Sequence, residues 1–279
     1  MSLNYILRAK KFRAKKSLGQ NFLIDENVID FIAQHVSSDD EILEIGPGLG
    51  FVTEQLVENA KRVVALEIDK DAINILNKNL GNKENFHLIE QDILKTNIDD
   101  LPFGKDKIKV IANIPYYITS PILVHLLGEI DEFSHKNRDR ISEIILMVQL
   151  EVANRIIANE NSQNKAYGQL SILSQMYADT EIIKKVPKNS FSPSPKVDSA
   201  LVRFEIKDKP KVEITKLLKR TIKAIFTSRR KNIKNSLLNA GFVEVEKALS
   251  DANIDKTTRG EKLSIEQIRA LSVELEKYN

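Results

Sequence analysis

Asn113-Ile114-Pro115-Tyr116 follows directly on an apolar, β-branched run, and these four residues suit one kind of chemistry. An exocyclic aromatic amine is a poor nucleophile because its lone pair is delocalised into the ring. The Asn113 amide oxygen and a neighbouring backbone carbonyl can accept its two N–H bonds. They would aim the lone pair at a sulfonium methyl group and stabilise the charge that develops on nitrogen. No strong base is needed, since the product proton is acidic once the nitrogen is quaternised. Pro115 fixes the backbone that carries the carbonyl, and Tyr116 offers a face on which a base can stack. A strand-end turn with a packed tyrosine reads the same way, so the motif needs support from its neighbours.

That support comes from three earlier points in the chain. Gly46-Pro47-Gly48-Leu49-Gly50 follows the first candidate strand and opens a helix, where glycines permit a tight turn and close backbone approach to a ligand. The last glycine falls one position short of the dinucleotide fingerprint. Glu67, 21 residues beyond Gly46, ends the second strand, where an acid can hold both ribose hydroxyls. Asp92 ends the third, where a carboxylate can accept from an adenine amino group. A dinucleotide has no use for the second acid. An adenosine-type ligand without a pyrophosphate suits the pair, and S-adenosylmethionine is the common one. Either acid alone reads equally as a solvated strand end.

The elements that must position these residues are legible as alternation. Glu41–Gly46, Arg62–Asp69, Phe86–Asp92, Ile108–Pro115 and Ser142–Gln149 read as strands with helical stretches between them, which implies βαβ units and a mostly parallel sheet. Thr180–Val186 and Ala200–Ile206 add two more. The last follows a Pro-rich loop with no long helix before it, which suits an antiparallel insertion. After Lys209-Pro210 the pattern is helical only. The expected organisation is a seven-stranded α/β domain, Rossmann-like, over residues 1–207 and a small helical domain over 208–279.

Composition sets the outer bounds. The 279 residues are 42% apolar and 29% charged, enough for a core under an ordinary soluble surface. There is no cysteine, hence no disulfide and no thiolate chemistry, and the four histidines lack metal-ligand spacing. No apolar run is long enough to cross a bilayer and no apolar h-region follows the basic N-terminus. A cytoplasmic protein is the expectation, and nothing suggests an obligate dimer. The net charge is only +3, but residues 1–24 and 214–243 hold 14 basic side chains and no acid. Basic charge concentrated on an otherwise acidic chain suggests a polyanion surface, with Arg229, Arg230, Lys231 and Lys234 as candidate phosphate-binding residues. A solvated helix face is the alternative.

Several ordered motifs carry a family resemblance. Lys16-Ser17-Leu18-Gly19-Gln20-Asn21-Phe22-Leu23 comes first, then Glu44-Ile45-Gly46-Pro47-Gly48, then Asn113-Ile114-Pro115-Tyr116. Phe191-Ser192-Pro193-Ser194-Pro195-Lys196-Val197-Asp198-Ser199 follows, and Ser228-Arg229-Arg230-Lys231 with Asn235-Ser236-Leu237 completes the series. In these the chain resembles the ribosomal RNA small-subunit adenine dimethyltransferase family over nearly its whole length. Ile114 in place of the commoner Leu is a mild departure. The resemblance implies a methyltransferase fold with S-adenosylmethionine at the strand ends. Asn21 and Leu23 would close over its methionine end, and Gly46 and Gly48 would approach it through the backbone. Glu67 would hold the ribose, Asp92 the adenine, and Asn113 would touch both cofactor and target. The implied reaction places four methyl groups on N6 of two adjacent adenosines near the 3′ end of 16S rRNA within the 30S particle, with a role in small-subunit biogenesis.

Phe191 has two readings. It could face the Asn113–Tyr116 turn and sandwich the target adenine with Tyr116, or it could anchor a core. Three functional alternatives also stay open: a 23S rRNA methyltransferase, a DNA adenine methyltransferase, and an assembly factor that binds immature particles. The Arg229–Lys231 cluster argues against the first. The absence of a target-recognition segment argues against the second, since duplex readers must extrude their base.

Overall fold

The computed structural model describes residues 3–15, 18–163, 166–228 and 230–279. Among the residues singled out above, Lys16, Ser17 and Arg229 lie outside these segments. The strands are β1 (Phe22–Leu23), β2 (Glu41–Ile45), β3 (Arg62–Glu67), β4 (Phe86–Glu90), β5 (Ile108–Asn113), β6 (Ile141–Gln149), β7 (Ala178–Val186), β8 (Phe191–Ser192) and β9 (Ser199–Ile206). Seven of them form one sheet in the order β4-β3-β2-β5-β6-β9-β7. The pairs from β4 to β6 are parallel, and β9 runs antiparallel to β6 with Leu146 opposite Val202. The mostly parallel sheet with an antiparallel insertion is therefore the architecture that the strand–helix alternation implied. All five residues of β2 are buried, as a central parallel strand covered on both faces requires.

Strands expected to run on to Asp69 and Asp92 stop two residues earlier, and the reason is capping. Asp69 accepts from the Asp71 N–H and starts the helix Lys70–Leu80. Asp92 accepts from the Leu94 N–H and starts a short 3-10 turn. A carboxylate that satisfies an otherwise orphaned helix-start donor pulls its own backbone out of the ladder. The Pro-rich segment, expected as a loop, also contributes a short strand: β8 pairs antiparallel with β1, Leu23 opposite Phe191.

Two compact units divide the chain, and they interleave in sequence. The first comprises Met1–Leu126, Lys136–Ala153 and Thr180–Ile206; the second comprises Leu127–His135, Asn154–Asp179 and Lys207–Asn279. The second thus takes in two segments that precede the expected boundary at 207. Their hydrogen bonds account for this. Tyr177 Oη donates to the carbonyls of Glu129 and Glu132, and the Lys207 and Lys211 N–H groups donate to the Tyr177 and Met176 carbonyls.

Within the second unit, the helix Leu218–Thr227 buries Leu218, Thr221, Ile222, Ala224, Ile225 and Phe226 on one face, with Tyr167 edge-on to Phe226. Ser264 and Gln267 form a capping box at the start of the final helix, Ile265–Glu276. Among the described residues, no helix is long and apolar enough to cross a membrane.

Candidate active site

The first unit holds a cleft at the carboxyl ends of β2, β3, β4 and β5, walled on its other side by residues 18–23. In parallel α/β sheets this is where ligands sit, because successive loops diverge there. Gly46, Gly48, Glu67, Asp92, Asn113, Tyr116, Asn21 and Leu23 all line it. Four strand ends and a loop far away in sequence therefore bring eight expected residues to one place.

Gly46 has φ +68°, and a Cβ there would meet nothing within 4 Å, so its backbone faces open space. Gly48 has φ +57°, and a Cβ would lie 3.0 Å from the Phe22 ring. The first glycine leaves room for a ligand and the second leaves room for the wall opposite. Glu67 is 7% exposed and held by three backbone donors: Gly48 N–H on Oε2 at 3.0 Å, and Ile68 and Asp69 N–H on Oε1 at 2.8 and 2.9 Å. A carboxylate oxygen accepts more than one bond, so both oxygens keep lone pairs for a diol. Asp92 is half-buried and fixed by the Leu94 N–H at 3.0 Å.

Asn113 ends β5 half-buried. The one hydrogen bond of its side chain among the described residues runs from Nδ2 to the Asn21 carbonyl at 3.4 Å, so Oδ1 remains an open acceptor. Pro115 starts a 3-10 turn, Tyr116–Ile118, that the Thr119 hydroxyl secures through the Tyr116 carbonyl at 3.0 Å. Tyr116 Oη shares a 2.6 Å hydrogen bond with Ser199 Oγ. Burial pushes the Tyr116 phenol above its ordinary value, with Ser199 opposing, so it stays a neutral ring and not a base.

Phe191 is not on the cleft. It is 3% exposed and belongs to the core cluster with Phe22, Leu23, Ile29 and Leu201. The sandwich with Tyr116 is absent from this arrangement, because the β1–β8 pairing turns the Phe191 ring into the core. Phe191→Ala should lower the unfolding free energy by roughly 3 kcal/mol or more, as truncation of a buried Phe does. Chemical denaturation measures this, and an unchanged midpoint would return Phe191 to the surface.

Sequence reading missed a buried acid and an anchor. Glu44 lines the cleft at 3% exposure. Burial pushes its carboxyl up to about 8, and the Glu67 carboxylate adds to the shift. The adjacent Thr53 hydroxyl offsets this only in part; among the described residues, neither Glu44 Oε2 nor Thr53 Oγ1 has a hydrogen-bond partner. Asp69 anchors the segment that walls the cleft: Lys15 Nζ binds its Oδ1 and Gln20 Nε2 donates to its Oδ2 at 2.6 Å. Burial raises the Asp69 carboxyl, but Lys15, Gln20 and the Asp71 N–H outweigh it and hold it below the usual range. The acid two residues past Glu67 was the available signal, though its partners lie some 50 residues away in sequence.

The basic stretch is less uniform than its letters. Lys234 pairs with Glu246, Lys219 with Glu129 and Asp131, and Arg220 caps the Ala240 and Gly241 carbonyls while stacking on Phe242. Lys234 is therefore not the free cation its position suggested, because an acid outside the stretch folds back onto it. Lys223, Arg230 and Lys231 are exposed and form no ion pair among the described residues.

Comparison with known proteins gives these features a context. A family model described as "Ribosomal RNA adenine dimethylase" matches residues 11–277. The chain belongs to the ribosomal RNA adenine dimethylase family. Within it, the chain is 42% identical over 278 residues to a ribosomal RNA small subunit methyltransferase A from Clostridium botulinum (strain Okra / Type B1), covering 98% of both chains. Among solved structures, it is similar to the 23S rRNA methyltransferase ErmE, with TM-score 0.68 and 28% identity over 92% of this chain and 100% of that one. A Plasmodium falciparum dimethyladenosine transferase shares the fold, with TM-score 0.72 and 24% identity over 92% of this chain and 98% of the other.

Proposed function

We propose that the protein transfers methyl groups from S-adenosylmethionine to N6 of adenosines in small-subunit ribosomal RNA, the finer target being two adjacent adenosines near the 3′ end of 16S rRNA in the 30S particle. The observation that carries this is the open acceptor Asn113 Oδ1 in a cleft shared with Glu67 and Asp92. The 42% identity to a small-subunit enzyme, against 28% to a large-subunit one, favours the small subunit.

The residues present fit the cofactor. The open space over Gly46 admits a ligand against bare backbone, and the Glu67 carboxylate, fixed by the Gly48 N–H, would have lone pairs left to accept from ribose hydroxyls. Glu67 would hold the ribose hydroxyls and Asp92 the adenine amino group, while Asn21 and Leu23 close the opposite wall. S-adenosylmethionine, when bound, supplies an electrophilic methyl group. Asn113 Oδ1 accepts an N–H of the target amine and so turns the nitrogen lone pair out of conjugation with the ring. Tyr116, its hydroxyl tied to Ser199, presents a ring of fixed tilt at the strand end. The product proton leaves to solvent without a dedicated base.

Glu67→Ala is expected to weaken S-adenosylmethionine binding by about 1.5–3 kcal/mol, since the hydrogen bonds removed have a charged acceptor. Titration calorimetry on the folded variant measures it, and unchanged affinity removes Glu67 from the site. For the RNA surface, replacing Arg230 and Lys231 by Gln should flatten the salt dependence of 30S binding by a slope of about 0.7–0.9 for each phosphate that is no longer neutralised. Cofactor affinity should not move. The function itself is tested by incubating protein and labelled cofactor with unmethylated 30S subunits and, separately, with 50S subunits and mapping the labelled nucleotide; label on 23S rRNA in place of 16S rRNA, or on neither, would overturn it.

A further inference from the structure

Two tyrosines follow one another in the turn after Asn113, and the fold treats them differently. Tyr116 is half-buried and tied to Ser199. Tyr117 lines the same cleft yet is 66% exposed, among the most exposed large apolar side chains of the molecule. The backbone beneath it is fixed. The 3-10 turn that carries it is closed by the Ile118 N–H on the Pro115 carbonyl and by the Thr119 hydroxyl on the Tyr116 carbonyl.

Gly19, from the opposite wall, lies beneath it. A Cβ on Gly19 would come within 3.4 Å of Tyr117 Cε1 and 3.1 Å of Pro115 Cβ, and Gly19 holds a φ of +59° that side chains rarely adopt. The Gln20 bond to Asp69 fixes the strap just beyond that glycine. One side of the Tyr117 ring thus lies over the Gly19 backbone, close enough that a side chain there would crowd it, while most of its surface is left to solvent at the rim. Leaving an aromatic of this size uncovered sacrifices the stabilisation that burial would give. A rigidly mounted, bare aromatic beside a site for an RNA base is the arrangement that single-stranded nucleic acid stacks upon.

We propose that Tyr117 is a substrate-binding platform on which a base of the RNA strand other than the reacting adenine stacks while that adenine occupies the cleft. The proposal rests on the function assigned above. The separation of roles follows from mounting. Tyr116 sits three residues from Asn113 with its hydroxyl committed inward, and Tyr117 stands at the rim, outside the hydrogen-bonding set. Stacking on a ring is tolerant of base identity, so the platform would add grip without reading sequence.

The test is steady-state methyl transfer to unmethylated 30S subunits with Tyr117→Ala, Tyr117→Phe and Tyr117→Leu. Each variant is also checked for S-adenosylmethionine affinity by calorimetry and for unfolding midpoint. Loss of a stacked base should raise the KM for 30S subunits about 10-fold or more. The expected result is that rise for Ala and Leu, with kcat within about 2-fold, parental KM for Phe, and unchanged cofactor affinity and midpoint. A fall in kcat at constant KM would place Tyr117 against the reacting base and overturn the proposal. Weaker cofactor binding would make it a wall of the cofactor cleft, and a Leu variant that matches Phe would leave only bulk; either outcome also overturns it. Failure of the parent protein to methylate 30S subunits at all would instead remove the functional reading, and the platform with it.

Discussion

Asn113→Ala is expected to methylate 30S subunits on the order of 100- to 1,000-fold more slowly than the parent in kcat, the range found when one preorganised polar partner of a developing charge is deleted. The physical reason is specific to an aryl amine. With Asn113 Oδ1 gone, its N–H has no acceptor in that direction and the lone pair stays in conjugation with the ring. The other hydrogen bond of the side chain, to the Asn21 carbonyl, is long at 3.4 Å, so its loss should disturb the cleft wall little. Cofactor affinity should therefore fall by less than about 10-fold, the equivalent of 1.4 kcal/mol. Single-turnover kinetics with labelled cofactor separates the two quantities. A kcat within 10-fold of the parent would remove Asn113 from the chemistry.

Glu44→Gln should change how stability responds to pH. The Glu44 carboxyl is raised from an ordinary 4.5 to about 8, first by burial and then by the Glu67 carboxylate. Between those two values the folded state holds a proton that the unfolded state has released, so unfolding free energy falls as pH rises. The stability linked to this group is fully present below about pH 4.5 and is lost as pH climbs through about 8. Each unit corresponds to about 1.4 kcal/mol, so moving from pH 5 to pH 8 costs the parent up to about 4 kcal/mol from this site alone. Water reaching the carboxyl would reduce that figure. Glutamine has no proton to lose, and the variant should hold its stability across the interval. Urea denaturation at several pH values, without cofactor, measures the slope. Parallel pH profiles for the two proteins would show that Glu44 is solvated when the protein is folded.

The seven-stranded sheet was legible because each strand is a β-branched run bounded by turn residues. The antiparallel placement of β9 followed from a Pro-rich loop with no room for a crossover helix. The strand-end acids were legible for the same reason: Glu67 and Asp92 stand where periodicity stops. What stayed hidden depends on pairs distant in sequence. The two-residue ladder between Phe22–Leu23 and Phe191–Ser192 carries no local pattern, yet it goes with the burial that makes Phe191 a core residue. Lys234 read as a phosphate-binding residue because Glu246 lies beyond the acid-free stretch. The segments 127–135 and 154–179 fell inside the expected domain 1–207, since nothing in an amphipathic stretch says which of two units it will pack into.

The strand order has a consequence for how the chain is made. β7 lies at the edge of the sheet and has β9 as its neighbour there, yet β9 leaves the ribosome later than β7. During synthesis β7 emerges with its partner still unmade, and the exposed edge of β6 waits beside it. Edges of this kind are where nascent chains pair wrongly or aggregate. The first unit therefore cannot complete its sheet until residue 206 has emerged, and by then 127–135 and 154–179 are already outside, waiting for a remainder that comes last. A messenger truncated after residue 207 would yield a finished sheet trailing two orphaned segments. Excising the second unit cleanly requires replacing three stretches of the chain, not removing one tail.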